Sequence, residues 1–218
     1  YGSKSVAIGK EALATQNFTT ATDTYNTGVG HNAGSSVTTG THNTLIGGLA
    51  GDSLTTGASN VAVGYNALST DDVGQHNVAI GRDALAAQNT ATAANIYNVA
   101  VGSSAGTAVT TGVNNTLIGG VAGDAITIGN ENTALGYNSL GANVSGDRST
   151  AIGYGALAAQ NDGTSTYDAN NTAVGYNAMA TISTGLRNVA VGAGALDAED
   201  TGSRNVAIGF SALSTLNY

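Results

Sequence analysis

Apolar and polar positions along this chain alternate in short triplets, not with a helical period. An aliphatic residue or Thr, a small residue and a second aliphatic residue precede a glycine again and again. The phrase reads "NVAVGYNAL" at 60–68, "NVAIGRDAL" at 77–85, "NTALGYNSL" at 132–140, "NTAVGYNAM" at 171–179 and "NVAIGFSAL" at 205–213. Aligned on that glycine, the copies fall at Gly9, Gly30, Gly47, Gly64, Gly81, Gly102, Gly119, Gly136, Gly153, Gly175, Gly192 and Gly209. Most intervals are 17 residues, and three are stretched to 21, 21 and 22. Gly9 to Gly81 and Gly81 to Gly153 are therefore two super-repeats of 72 residues (9–80 and 81–152), with a partial third over 153–218. A period of this size marks a stacked repeat architecture, one coil per copy.

Each coil position has its own rule. The residue before the glycine is aliphatic in all twelve copies, the residue two earlier is Val or Thr, and between them stands Ala in nine copies, Leu45 and Leu117 in two and Gly28 in one. Period two puts the branched side chains on one face and the small ones on the other, which predicts one short β-strand per coil. A helix is excluded by this alternation and by the frequency of glycine. Four residues after the glycine comes Leu or Met in eight copies and Gly in four, Gly34, Gly51, Gly106 and Gly123. Each of those four is followed three residues later by Val37, Leu54, Val109 or Ile126, where other coils carry a polar residue such as Asp71, Gln88, Asn143 or Glu199. Volume lost at one core position is restored at a neighbouring one, as a packed interior requires.

Asn precedes the strand in ten copies, with Ser5 and Ser149 in the other two, and Gly stands three residues before it in the 17-residue coils, from Gly40 and Gly57 to Gly185 and Gly202. Turn glycines at positive φ and a ladder of stacked Asn side chains are expected there. The stretched coils lack the turn glycine and run through "QNFTTATDTY", "QNTATAANIY" and "QNDGTSTYDA", which read as polar loops projecting at regular heights. Parallel stacking at about 4.8 Å per coil gives twelve coils a length of roughly 55 Å. The expected architecture is all-β: a parallel β-solenoid of about twelve 17–22-residue coils, a single repetitive domain over 1–218. Its Ala and Gly face is expected to be exposed in one chain and covered by two sister chains in a homotrimer.

Composition narrows the function. Charged residues make up 9% of the chain, the formal net charge is −8, and Trp, Pro and Cys are absent. An acidic chain whose six Lys and Arg are spread along the sequence repels phosphate backbones, so nucleic acid is not an expected partner. Without cysteine there is no thiol chemistry to assign, and no apolar run reaches membrane-spanning length. The chain opens at Tyr1, not Met, and reads as a segment of a longer polypeptide.

The phrase N-[VT]-A-[VI]-G-x-x-A-L, from "SKSVAIGKEAL" to "RNVAIGFSAL", resembles the head repeat of trimeric autotransporter adhesins, the YadA-like head. The resemblance covers essentially the whole chain. It implies a left-handed parallel β-roll assembled as a tight homotrimer on an extracellular fibre at the cell outer surface. Here the coils are longer than in that family, and Ala-Leu replaces its Ser. Similar repeats occur in phage tail fibres, which would place the chain on a virion tail fibre instead.

Candidate chemistry is sparse. His31, His42 and His76 do not converge, since His42 and His76 stand in equivalent places two coils apart, too far for one metal ion. The acids of "DAED" at 197–200 and "TDDVG" at 70–74 read as solvated turns and not as a glycosidase pair. No calcium-roll phrase or phosphate-cradling loop occurs. No enzyme activity, cofactor or metal is expected. The two letters after the glycine vary most, and Tyr65, Tyr137, Tyr154, Tyr176 and Phe210 there are the candidate ligand contacts for a surface glycan or protein receptor. Tyr137, Tyr154 and Tyr176 fall on three consecutive coils and predict an aromatic strip, which in its simpler reading covers the small-residue face or stiffens subunit contacts. The projecting loops are further candidate contacts. An ice-binding solenoid is the alternative from another class. "TTG" recurs at 38, 55 and 110, but later coils break the row with Ile128, Ser183 and Asp200.

Overall fold

A computed structural model describes residues 2–90, 92, 94–161, 167–197 and 201–214. It forms two units, Tyr1–Thr111 and Gly112–Tyr218. Each is a parallel β-solenoid with six three-residue rungs, and no helix occurs among the described residues. In the first unit the rungs are Val6–Ile8, Thr27–Val29, Thr44–Ile46, Val61–Val63, Val78–Ile80 and Val99–Val101. In the second they are Thr116–Ile118, Thr133–Leu135, Thr150–Ile152, Thr172–Val174, Val189–Val191 and Val206–Ile208. Registers follow the repeat, with Val61 opposite Val78, Thr150 opposite Thr172 and Val189 opposite Val206.

Period two is obeyed, but the two faces are the reverse of the expectation. The small central residue points inward and is fully buried at Ala62, Ala79, Ala100, Ala134, Ala151 and Ala173, as are Leu45 and Leu117. The aliphatic residue before the glycine points outward and is buried on none of the twelve rungs. A coil of 17 residues encloses too narrow a space for branched side chains from the strand as well as Leu from the opposite corner. Alanine on the strand leaves room for Leu68, Leu85, Leu140, Leu157, Met179 and Leu196, all fully buried. These corner residues take left-handed φ of 48–54°, a conformation costing a non-glycine residue about 1–2 kcal/mol, which burial of the side chain offsets.

Where the corner is glycine, the compensation expected from the sequence is present. A Cβ on Gly51 would lie 2.7 Å from Leu45 and 2.9 Å from Leu54, and one on Gly123 would lie 2.8 Å from Leu117 and 2.9 Å from Ile126. The enlarged strand-centre leucine and the downstream aliphatic residue together occupy the space that the corner side chain leaves.

The asparagine ladder is formed. Asn60 Nδ2 donates to the carbonyl of Gly74 at 2.8 Å, while Asn60 Oδ1 accepts from the backbone N–H of Asn77, one rung on, at 2.9 Å. The same pair of bonds recurs at Asn43 and Asn132. The turn glycines that accept these bonds are not in the positive-φ region, contrary to expectation. They are needed because the rungs approach closely there, and a Cβ on Gly40 would meet the carbonyl oxygen of Gly57 at contact too short to exist. Positive φ falls instead on the strand-ending glycines and on the residue just before the ladder Asn, such as His42 at 61°.

The stretched coils solve the loss of the turn glycine with a glutamine that opens each insert, Gln16, Gln88 and Gln160, spaced 72 residues apart. Gln88 and Gln160 are fully buried and accept from Asn98 and Asn171 Nδ2 at 3.0 and 2.9 Å. Gln16 and Gln160 also donate to Ser5 and Ser149 Oγ, the two positions where Ser replaces the ladder Asn. Each insert is stitched back to the preceding turn, through Ser3 with Asp23, Gln75 with Asn95 and Asp147 with Asp168, and buries Phe18, Ile96 or Ala169 at its foot. Only parts of the inserts therefore project. The middle of the third, 162–166, lies outside the described residues.

Asn60→Ala removes a buried donor and acceptor together and leaves the Gly74 carbonyl and the Asn77 N–H without partners. The expected cost is about 2–3 kcal/mol, read as a lowered urea midpoint with unchanged slope. Equal stability of the variant and the wild type would mean that the ladder adds nothing to the backbone pairing.

Candidate functional site

Three columns of side chains face outward from the rungs. The first is the aliphatic column at the end of each strand, including Ile46, Ile80, Leu135 and Val191, which are 37–45% exposed. Beside it, two residues back along the strand, the second unit carries Thr116, Thr133, Thr150 and Thr172 in succession. This is a continuous apolar and hydroxyl-bearing sheet face with nothing packed on it within either unit.

The second column is the residue after the strand-ending glycine. It holds all five candidate contacts, Tyr65, Tyr137, Tyr154, Tyr176 and Phe210, each more than half exposed. Tyr137, Tyr154 and Tyr176 stack on successive rungs with centroids 5.4 and 5.5 Å apart and planes within 16°. Tyr137 also lies over Gly120, where a Cβ would come within 3.3 Å of the ring, and Tyr65 lies over Gly48 in the same way. The rings do not cover the small-residue face, because that face is inside. Stacking occupies the ring faces with one another, so the strip offers an incoming ligand mainly ring edges and a row of phenol hydroxyls. Phe210 makes no ring contact with Tyr176 among the described residues, Ala193 standing between them in the column.

The third column, which held none of the candidate contacts, is the left-handed residue before the ladder. It contains Lys4, Tyr25, His42, Ser59, His76 and Tyr97 in the first unit and Asn114, Glu131, Arg148, Asn170, Arg187 and Arg204 in the second. Four of the six Lys and Arg stand at this position, Lys4 in the first unit and Arg148, Arg187 and Arg204 in the second. His42 stacks on Tyr25 at 5.3 Å and His76 on Tyr97 at 5.1 Å, and the Lys4 ammonium sits over Tyr25. The signal in the sequence was the phase: these residues all immediately precede the Asn or Ser of the ladder.

Of the acids expected in solvated turns, Asp71 is buried. Its carboxylate accepts from Gly74 N at 3.0 Å, Gln88 Nε2 at 2.8 Å and Asn77 Nδ2 at 3.4 Å. Asp72 is half-buried, and residues 198–200 of "DAED", with Glu199 and Asp200, lie outside the described residues. Among the described residues no three His, Cys, Asp or Glu side chains gather as metal ligands, and no pocket opens. No helix is long and apolar enough to cross a membrane. No family model, curated protein or solved structure matches this chain.

Burial pushes the carboxyls of Asp71, Asp52 and Asp124 above the ordinary value, while the Lys4 ammonium holds exposed Asp23 below it. A raised folded-state value means that the folded chain binds the proton more tightly than the unfolded chain. Stability from these three carboxyls, Asp71 buried and Asp52 and Asp124 half-buried, is thus fully present below the unfolded value of about 4 and is lost as pH rises through the folded values. The Asp23 pair acts in the opposite sense but is exposed and weak. Thermal midpoints are expected to rise on acidification from neutrality toward the carboxylate range, and Asp52→Asn with Asp124→Asn to flatten that rise. A midpoint falling steadily with acid would show that paired carboxylates dominate instead.

Proposed function

We propose that this chain is a structural and adhesive segment of an extracellular homotrimeric fibre that attaches to a cell or host surface, with a binding role and no catalysis. The observation that carries the reading is the unpartnered aliphatic column, one Ile, Val or Leu per rung on all twelve rungs with none buried. Moving a half-exposed aliphatic side chain out of water contributes about 1 kcal/mol, and the contribution recurs at every rung. A self-complementary strip of this kind suits identical partners running in parallel around one axis. The strip is made of branched residues, so the interface is the opposite face from the small-residue one expected from the sequence. The resemblance of the repeat to the YadA-like head supports the same assembly. Three copies of each exposed column on one fibre would let weak contacts act together.

A second reading has its own observation. Thr116, Thr133, Thr150 and Thr172 form a rank about 4.8 Å apart on a parallel sheet, and none of their hydroxyls is hydrogen-bonded among the described residues. Such a rank suits ordered water, as in ice binding. The "TTG" threonines at 38 and 55 do not, because Thr38 and Thr55 Oγ1 donate to the carbonyl of the next rung. Both readings use the same face, so they exclude each other.

The mass in solution separates them. The fibre reading expects about 64 kDa, three times the 21.3 kDa chain, by sedimentation equilibrium. Ile80→Asp and Leu135→Asp are expected to yield folded single chains with an unchanged circular dichroism spectrum, since both side chains point outward. A monomeric wild type overturns the fibre reading, and thermal hysteresis in that monomer would establish the other.

A further inference from the structure

The cationic column ends in a feature that neither the fold nor assembly uses. Four of the six cations have a carboxylate at hand: Lys4 with Asp23 at 2.6 Å, Lys10 with Glu11 at 3.6 Å, Arg82 with Asp83 at 2.8 Å, and Arg148 with Glu131 at 2.8 Å and Asp168 at 2.6 Å. Arg187 and Arg204 have none among the described residues. They are one rung apart, because Arg204 N donates to Leu186 O at 2.9 Å and Val189 pairs with Val206. Both are exposed, and both take left-handed φ, 59° and 62°, like every residue of their column.

We propose that Arg187 and Arg204 form a binding site for the oxyanion groups of an acidic glycan, carboxylate or sulfate. The rung spacing sets the backbones of the two arginines about 4.8 Å apart, so their guanidiniums can reach one anion together and repel each other until an anion lies between them. Each presents a planar fork of N–H donors that matches two oxygens of a carboxylate or sulfate. The site is two charges wide on a chain of net charge −8, which selects against a densely charged polymer such as a nucleic acid, whose remaining phosphates would meet acidic surface. An acidic glycan places its charges one or two sugars apart and engages the pair locally. The ligand's anionic group is bound by the guanidiniums, while the stacked tyrosines belong to a different column. The site does not depend on the number of chains in the assembly.

The test is titration of the whole chain at low ionic strength with four hexameric probes: a sulfated heparin fragment, an oligogalacturonate, neutral maltohexaose and hexaglutamate. Binding of either acidic oligosaccharide, with none of the neutral one, is expected, and which of the two binds identifies sulfate or carboxylate as the group. Arg187→Gln or Arg204→Gln is expected to weaken it about tenfold each, and the double variant to abolish it with unfolding behaviour unchanged. Arg82→Gln, which removes a cation elsewhere, should leave it intact. No binding of either acidic oligosaccharide, an equal loss in Arg82→Gln, or a preference for hexaglutamate would each overturn the proposal, the last by making the site one for acidic peptide.

Discussion

The width of the coil interior governs this protein. A rung of three residues facing a tight corner leaves space for one medium side chain and one methyl, and every other feature follows from that limit. Alanine occupies the strand centre so that Leu68 or Leu140 can fill the corner, and the corner residue accepts an unfavourable left-handed backbone to point inward. Where the corner is Gly51 or Gly123, the strand centre grows to Leu45 or Leu117 and the volume balances. The branched residues at the strand ends stand outside. The apolar face that would associate with sister chains is thus a consequence of how little the coil can hold.

Close stacking is the second consequence. With so little buried apolar surface per rung, backbone and side-chain hydrogen bonds must be complete, because each unpaired buried group costs about 1–3 kcal/mol. The Asn ladder supplies one donor and one acceptor per rung, joining consecutive rungs and closing the turn through a glycine carbonyl. Inserts break that closure, and a buried glutamine restores it. Gln88 and Gln160 reach the ladder from the insert side, so the extra residues leave without opening the interior. The super-repeat thus sets Lys4, His76 and Arg148 at equivalent places 72 residues apart, each in the turn to which an insert pairs back.

Much of this was legible in the sequence. The coil period, the strand positions, the parallel register and the Asn ladder all follow from phase alone, since one residue type recurs at one place. The direction of the faces did not, because period two separates two faces without saying which is inside, and hydrophobicity favours the branched one. The sequence did hold a sign: Leu45 and Leu117 replace the strand Ala in two of the four coils whose corner is glycine, and in no coil whose corner is Leu or Met, which points to the Ala side as the one that trades volume with the corner. Turn glycines were read as conformational when they are steric, a distinction invisible without the neighbouring rung. Asp71 and Gln88 read as surface residues because polarity usually means exposure, whereas here they complete a buried hydrogen-bond corner.

Columns explain how such a chain carries surface chemistry without disturbing its fold. The interior consumes the strand centre, the corner, the ladder and two glycines of each coil, and those positions vary little. Residues after the strand glycine and before the ladder point outward and enter no core contact, so a ring, a cation or a small residue fits equally well on any rung. Stacking then turns single substitutions into extended features: three successive tyrosines become a continuous strip, and two successive arginines become paired forks one rung apart. A solenoid of this kind can change its surface chemistry by rewriting one column, at almost no cost to the ladder beneath it.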